Sequence, residues 1–351
     1  MELNVLPVLT WNWVQVNDTK FEIPKFVSEQ VDSQTTYTLP KQILSDWNKC
    51  KLGGTGVSKE ALLWNETQRT NQTVIHAKAG EKKETQTVKF LEGNKSSVIM
   101  DATYIIAEES SKVSVIFDYA EQMQQNSIET FRNSVIYVTA KEGAEVTIYY
   151  VSRNSKYHIA LCSVISQVHQ DAAVNLVQVE TGAQRSFFHY TSNLLERGAN
   201  TKIRTVYFAD ENRELNLAYE INHIGQETES DILVNGALKD TAKKTFKGTI
   251  DFKKASSHSK GKEEEYAILL SEKVKNVAVP ILLCQEDDVE GVHAASAGKM
   301  DEEILFYIMS RGFCLDDAKK IVLESRFTPI LDMIEDDSLK KEIWKEIGDR
   351  I

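Results

Sequence analysis

Between about residues 84 and 285 the chain consists of short runs rich in Val, Ile, Thr, Tyr and Phe, each closed by a polar or glycine-containing turn. Alternation of this kind, bounded by turn residues, predicts β-strands. Three runs can be laid over one another: Gly143-Ala144-Glu145-Val146-Thr147-Ile148, Asp171-Ala172-Ala173-Val174-Asn175-Leu176 and Gly198-Ala199-Asn200-Thr201-Lys202-Ile203. Each opens with Gly or Asp followed by Ala, and the starts lie 28 and then 27 residues apart. Lys112-Val113-Ser114-Val115 is a weaker, earlier copy. A self-similar period of this length is what a solenoid leaves in a sequence, because each coil buries its apolar row only against its neighbours. The pattern predicts a parallel β-helix. A β-sandwich also strings short strands on turns, but it would call for more than the 16 Gly and 5 Pro present.

After about residue 298 the period becomes helical. Asp301-Glu302-Glu303 opens a helix with acidic residues where its dipole favours them, Ile304, Leu305 and Ile308 form a stripe, and Gly312 supplies the stop. A second helix begins near Leu315, with Cys314 at the N-cap position and Ala318, Ile321 and Val322 on its apolar face. Ile330, Leu331 and Ile334 continue the amphipathic pattern, and Leu339, Ile343, Trp344 and Ile347 line a last helix. The first 80 residues show no sustained period and are expected to be mixed or helical. Trp11 and Trp13, two apart, would share one strand face and cap a core end, with surface recognition as the alternative. Three regions follow: 1–80, a β-helix over 81–297, and a helical part over 298–351.

Composition narrows the function more than the fold. A formal charge of −11 opposes docking on nucleic acid or an anionic membrane, leaving proteins or metal ions as expected partners. The start, Met1-Glu2-Leu3-Asn4-Val5-Leu6-Pro7, carries no basic segment followed by an apolar stretch, and a cytoplasmic protein is expected. Four cysteines, at 50, 162, 284 and 314, are too few and scattered for a disulfide framework or a self-contained four-thiolate cluster site.

Local catalytic motifs are missing. Gly53-Gly54-Thr55-Gly56 lacks the lysine and following hydroxyl of a phosphate loop, and there is no Gly-x-Ser-x-Gly, His-Glu-x-x-His or Cys-x-x-Cys. No enzymatic activity is expected. Glu286, Asp287 and Asp288 admit two readings, an acid cluster of a carbohydrate-active β-helix or a solvated turn. Of the seven histidines none pairs with another at helical ligand spacing. His293 stands apart because Gly291, Ala294, Ala295, Ser296, Ala297 and Gly298 crowd it so little that its imidazole is free to face a partner or an ion.

The run Asp287-Asp288-Val289-Glu290-Gly291-Val292-His293-Ala294-Ala295-Ser296-Ala297-Gly298, with Asp301-Glu302-Glu303-Ile304-Leu305-Phe306-Tyr307 and Ser310-Arg311-Gly312, resembles the signature of the SufB/SufD family of iron–sulfur cluster assembly proteins. Asp240, Phe246, Gly248, Ile250 and Leu269-Leu270-Ser271 also match that family's last coils. The likeness is specific from about residue 237 to 327. It implies a right-handed parallel β-helix between an N-terminal region and C-terminal helices. Ala294 departs from the usual Gly, Ser296 from Thr, and Gly291 stands where some relatives have Cys.

Within the family, the B-type subunit carries a cluster-building cysteine ahead of the proline matching Pro280, and Val274 occupies that place here, which favours the D type. The resemblance then implies a non-enzymatic scaffold that pairs with SufB and docks the ATPase SufC through the helices after Gly298. It further implies a transient iron–sulfur cluster shared at the SufB interface, with none held stably by the isolated chain. His293 is the implied cluster ligand. Cys284 is a secondary candidate, read as a buried strand cysteine, and Phe306, Arg311 and Phe327 are the expected docking anchors. A self-associating structural module, dimeric in isolation, is the further alternative.

Overall fold

Strands adjacent in sequence do not pair in the body of the molecule; they alternate between two facing sheets, so the chain winds rather than folds back. The computed structural model describes residues 1–10, 14–30, 54–69, 71–92, 98–121 and 129–351; Trp11, Trp13, Trp47, Cys50 and Gly53 lie outside them. One sheet holds the odd-numbered strands β3 (Asn71–Ala77), β5 (Val98–Ala107), β7 (Thr130–Ala140), β9 (His158–Val168), β11 (Arg185–Leu194), β13 (Glu214–His223), β15 (Lys243–Phe252) and β17 (Lys275–Cys284). The other holds the even-numbered strands β4 (Gln86–Glu92), β6 (Lys112–Glu121), β8 (Glu145–Arg153), β10 (Ala173–Glu180), β12 (Asn200–Ala209), β14 (Glu229–Leu238), β16 (Ser259–Leu269) and β18 (Val289–Gly298). All pairings within both sheets are parallel, giving a β-solenoid of about seven turns. The solenoid opens at Asn71, ten residues ahead of the expected boundary at 81, because the mostly polar face of β3 hides its period.

The repeated Gly/Asp-Ala pair is one corner of each coil. Gly143, Asp171 and Gly198 all have left-handed backbone, φ 65°, 51° and 72°, and Ser110 takes the same conformation in the weaker copy. Their N–H groups donate up the stack, Gly143 to Gln170 O at 2.9 Å, Asp171 to Arg197 O at 3.0 Å and Gly198 to Gln226 O at 3.1 Å. Such bonds leave no corner amide orphaned. Ala144, Ala172 and Ala199 follow, buried, since only a small side chain fits inside the bend. The register pairs Ala173 with Glu145 and with Asn200, the same 28- and 27-residue offsets that the sequence shows.

Both outer faces of the rod are covered, so many strands read as continuous apolar runs. On the odd-strand sheet sits the N-terminal region, with β1 (Glu2–Leu3), β2 (Thr19–Lys20), α1 (Lys25–Gln30) and α2 (Lys59–Gln68). Leu3, Phe21, Val27, Val57 and Ala61 pack there against Met100, Phe131, Leu161 and Phe187. Buried amides stitch the layers: Asn65 Nδ2 donates to Asp101 O at 2.9 Å and Asn133 O at 2.7 Å, and Asn4 Nδ2 to Asn216 Oδ1 at 2.7 Å. Gly54 is present for close approach, since a Cβ there would lie 2.3 Å from Thr191 Oγ1.

The helices α3 (Glu302–Ser310), α4 (Leu315–Leu331) and α5 (Asp337–Gly348) follow the solenoid. Leu323, Phe327, Ile330 and Leu331 of α4 and Leu339, Ile343 and Ile347 of α5 join Val151, Val177, Val179, Val206 and Phe208 on the outer face of the even-strand sheet. Each such side chain, fully buried, contributes about 1.5–3 kcal/mol. Arg153 of β8 fixes α5 with a bond from Nη1 to Glu346 Oε1 at 2.7 Å, while its Nε donates to Asp118 Oδ1 at 3.2 Å. No helix among the described residues is long and apolar enough to cross a membrane.

Candidate functional site

The inward rows of the solenoid change character at its C-terminal end. In the even-strand sheet one row runs Val115, Ile148, Leu176, Ile203, Ile232, each stacked on the last in register, and then continues Glu263, His293. Beside it, Val234 is followed by Glu265 and Ala295. Across the interior, Leu215 gives way to Lys244 and Asn276, and Tyr219 to Gly248 and Pro280. Five aliphatic rungs therefore end in a carboxylate and an imidazole.

Glu265 is compensated. Lys244, 1% exposed, forms an ion pair with it, Tyr207 Oη donates to Glu265 Oε1 at 3.3 Å, and Lys244 Nζ also donates to Val277 O at 3.3 Å. Burial pulls the Lys244 ammonium down from its ordinary value against the attraction of Glu265. Glu263 is not compensated. It is 2% exposed, and its Oε2 has no hydrogen-bond partner among the described residues. Burial first, and the neighbouring Glu265 charge second, push its carboxyl up to about 8. Room for it comes from Gly248, where a Cβ would lie 2.2 Å from Oε2 and 2.3 Å from Oε1.

His293 of β18 lies one rung above Glu263 of β16 in the same inward row, and is exposed, with no further coil over it among the described residues. Neither β18 nor β17 has a second strand partner among the described residues. Gly291 approaches Leu282 across the interior, and since facing strands run in opposite directions, His293, two residues on, faces Pro280, two residues back.

Other expected site residues fall elsewhere. Cys284 is exposed, not buried, because β17 belongs to the last coil. It sits four residues from Pro280, about 13 Å along the strand, and does not converge with His293. Among the described residues no three His, Cys, Asp or Glu side chains are grouped to hold a metal ion. Glu286 accepts from Ala255 N at 3.0 Å, and Asp288 O from His258 N at 2.7 Å, with His258 Nδ1 3.0 Å from Asp288 Oδ2. That acidic run caps a corner of the coil beneath it.

Of the docking candidates, Phe306 is 74% exposed, and Arg311 donates from Nη2 to Tyr307 Oη at 3.1 Å across the exposed side of α3. No residue of α3 is buried, although Ile304, Phe306, Tyr307 and Met309 are large and apolar. Asp301 caps it, accepting from Glu303 N at 2.8 Å. Phe327 is the correction: it is 0% exposed, stacked on Trp344 at 6.3 Å, and it anchors α4 to the sheet. It offers no surface to a partner. Cys314 does cap α4, its sulfur accepting from Asp317 N at 3.5 Å.

Glu263, Glu265 and Lys244 escape motif reading, since a charged residue in a strand is assigned to the outer face. Carrying the repeat alignment on from Ile203 through Ile232 would have put Glu263 and His293 in the inward row.

A parallel solenoid with helices on one outer face and an open, polar last coil is the class these features define. The family model for the SUF system FeS cluster assembly SufBD core domain matches residues 90–326, and the chain belongs to that family. It is 26% identical over 269 residues to the iron–sulfur cluster assembly protein SufD of Bacillus subtilis (strain 168), covering 75% of this chain and 60% of that protein. It is also 22% identical over 230 residues to an iron–sulfur cluster assembly SufBD family protein of Mycobacterium leprae, covering 66% of this chain and 26% of that protein. A SufBD family protein of the alga Antithamnion is 23% identical over 243 residues, covering 67% of this chain and 81% of the relative. The chain thus spans less than two thirds of the first two of these relatives.

Proposed function

We propose that the chain is a SufD-type scaffold subunit of an iron–sulfur cluster assembly complex in the cytoplasm, pairing with a SufB-type subunit at its last coil and docking a SufC-type ATPase through α3. The cluster is cargo, bound transiently between subunits. The observation that carries the reading is the position of His293 on an exposed terminal strand with a free edge. A parallel edge of this kind invites pairing by another strand. Imidazole is a suitable iron ligand, and one nitrogen ligand cannot hold a cluster alone, so thiolates from the partner would complete it.

The uncovered apolar side chains of α3 support the second contact. Ile304, Phe306, Tyr307 and Met309, followed by Phe313 and Leu315, are exposed apolar and aromatic side chains. Arg311 lies with its guanidinium 5.1 Å over the Tyr307 ring, an aromatic and arginine pair of the kind that dominates interface energetics. The role is that of a binding platform, not a catalyst. Co-expression with SufB- and SufC-type partners tests it: recovery of a three-component complex is expected, and failure of the chain to co-purify with either partner would overturn it.

A further inference from the structure

An outward row of the even-strand sheet also changes character over its last three rungs. It reads Val151, Val179 and Val206, and then, in register, Asn235, Tyr266 and Ser296. The aliphatic rungs seat α4 and α5, whereas over the polar ones a cavity of about 170 Å³ lies between Phe327 of α4 and Gly298 of β18. Two cations line it, Arg326 of α4 and Lys299, which directly follows β18; among the described residues no Asp or Glu does. In a chain of 52 acidic and 41 basic residues, that wall departs from the composition. Neither cation is neutralised. The Arg326 guanidinium has no hydrogen-bond or ion-pair partner among the described residues, and only its carbonyl is engaged, accepting from Asn235 Nδ2 at 3.1 Å. Lys299 has Glu272 at 3.4 Å, but the two side chains are 73% and 85% exposed, and such a pair is worth little in water. The Glu264 carboxylate that accepts from Tyr266 Oη at 3.2 Å is itself paired with Lys262 at 2.6 Å. Two like charges at one cavity repel unless an anion joins them.

We propose that this cavity binds one tetrahedral oxyanion of the phosphate class, held by Arg326 and Lys299 with the Ser296 hydroxyl as a further donor. A guanidinium presents a planar fork of N–H groups that matches two phosphate oxygens, and an ammonium adds a compact charge. The volume is between five and six times the roughly 30 Å³ that one water molecule occupies, room for the five heavy atoms of the ion. The anion neutralises the two charges that the chain leaves without partners. The inference goes beyond the proposed function: it concerns anion binding by this chain alone, on the outer face of the sheet and away from the inward rows.

The test is a calorimetric titration of the purified full chain with inorganic phosphate, in chloride buffer at constant ionic strength, alongside thermal midpoints. The parent should saturate at one phosphate per chain, and its midpoint should rise with phosphate, as it does for any ligand that binds only the folded state. Arg326→Gln and Lys299→Gln should each weaken binding by about tenfold or more, the scale of one charge-assisted hydrogen bond. Their phosphate-free midpoints should match the parent's, because both side chains are exposed. Gly298→Leu keeps both charges and fills the opening, where an added Cβ meets nothing within 4 Å, and should abolish saturation. Lys341→Gln, at an exposed lysine of α5 outside the cavity, changes the net charge equally and should bind as the parent does. Failure of the parent to saturate at a single site, or parental affinity in any of the three cavity variants, overturns the proposal. So does an equal loss in Lys341→Gln, which would mark an adventitious ion only. None of these failures touches the proposed function, whose test reads recovery of partner subunits.

Discussion

The middle of the rod and its last coil use the same backbone to opposite ends. From Val115 to Ile232 one inward row is aliphatic, sealed by a coil on each side; over the next two rungs the same row is Glu263 and His293, one buried with an unpartnered oxygen, the other open to solvent. A solenoid stabilises each coil only by its neighbours, so the terminal coil has half the support and leaves the inward-row His293 open to a partner.

The comparison breaks most visibly if the two chemistries are exchanged. Ile203→Glu moves the terminal carboxyl into the sealed middle, where it has neither space nor partner, and should lower stability by at least about 4 kcal/mol in chemical denaturation. Glu263→Leu should instead raise the midpoint, because a buried carboxyl with an unpartnered oxygen is replaced by apolar contact. Equal effects at the two positions would erase the distinction.

The C-terminal aromatics sharpen the same contrast between supported and open surface. Phe327→Ala should cost about 3–5 kcal/mol, measured in the isolated chain, since Phe327 is buried between α4 and the sheet. Phe306→Ala should leave stability within about 0.5 kcal/mol while reducing recovery of a SufC-type partner in pull-downs.

Smaller effects come from pH. Glu180 is sealed in the middle of the rod, and burial pushes its carboxyl up to about 7 from 4.5 despite the hydroxyls of Ser152 and Ser186. Between those values the folded chain holds a proton that the unfolded chain has lost, so this group's contribution to stability falls as pH rises through the window. Glu180→Gln should remove up to about 1.4 kcal/mol per pH unit of that slope. His223 acts with opposite sign: burial pulls it down to about 3 from 6.5, the unfolded chain binds the proton first, and stability falls as pH drops from about 6.5. Denaturation midpoints across pH for the parent, Glu180→Gln and His223→Gln check both.

Much of this was legible in the chain. The coil corner shows through because each turn must reverse direction with a left-handed residue and a small side chain, which restricts Gly143-Ala144, Asp171-Ala172 and Gly198-Ala199 to few choices. His293 is marked by its flanking small residues and by the family signature. Glu263 and Lys244 are not, because inward placement of a charge depends on which coil it occupies. Phe327 misled for a related reason: its stripe with Leu323 and Ile330 marks a helix that packs, but not whether it packs on its own sheet or on another protein. Cys284 looks like any strand cysteine until the coil count shows β17 to be the end strand of its sheet among the described residues.

The most direct test of the central claim is iron and sulfide content after reconstituting the co-purified three-subunit complex, parent against His293→Ala. The terminal-coil account predicts intact assembly and unchanged thermal midpoint with sharply reduced loading. Undiminished iron and sulfide in the variant would contradict it.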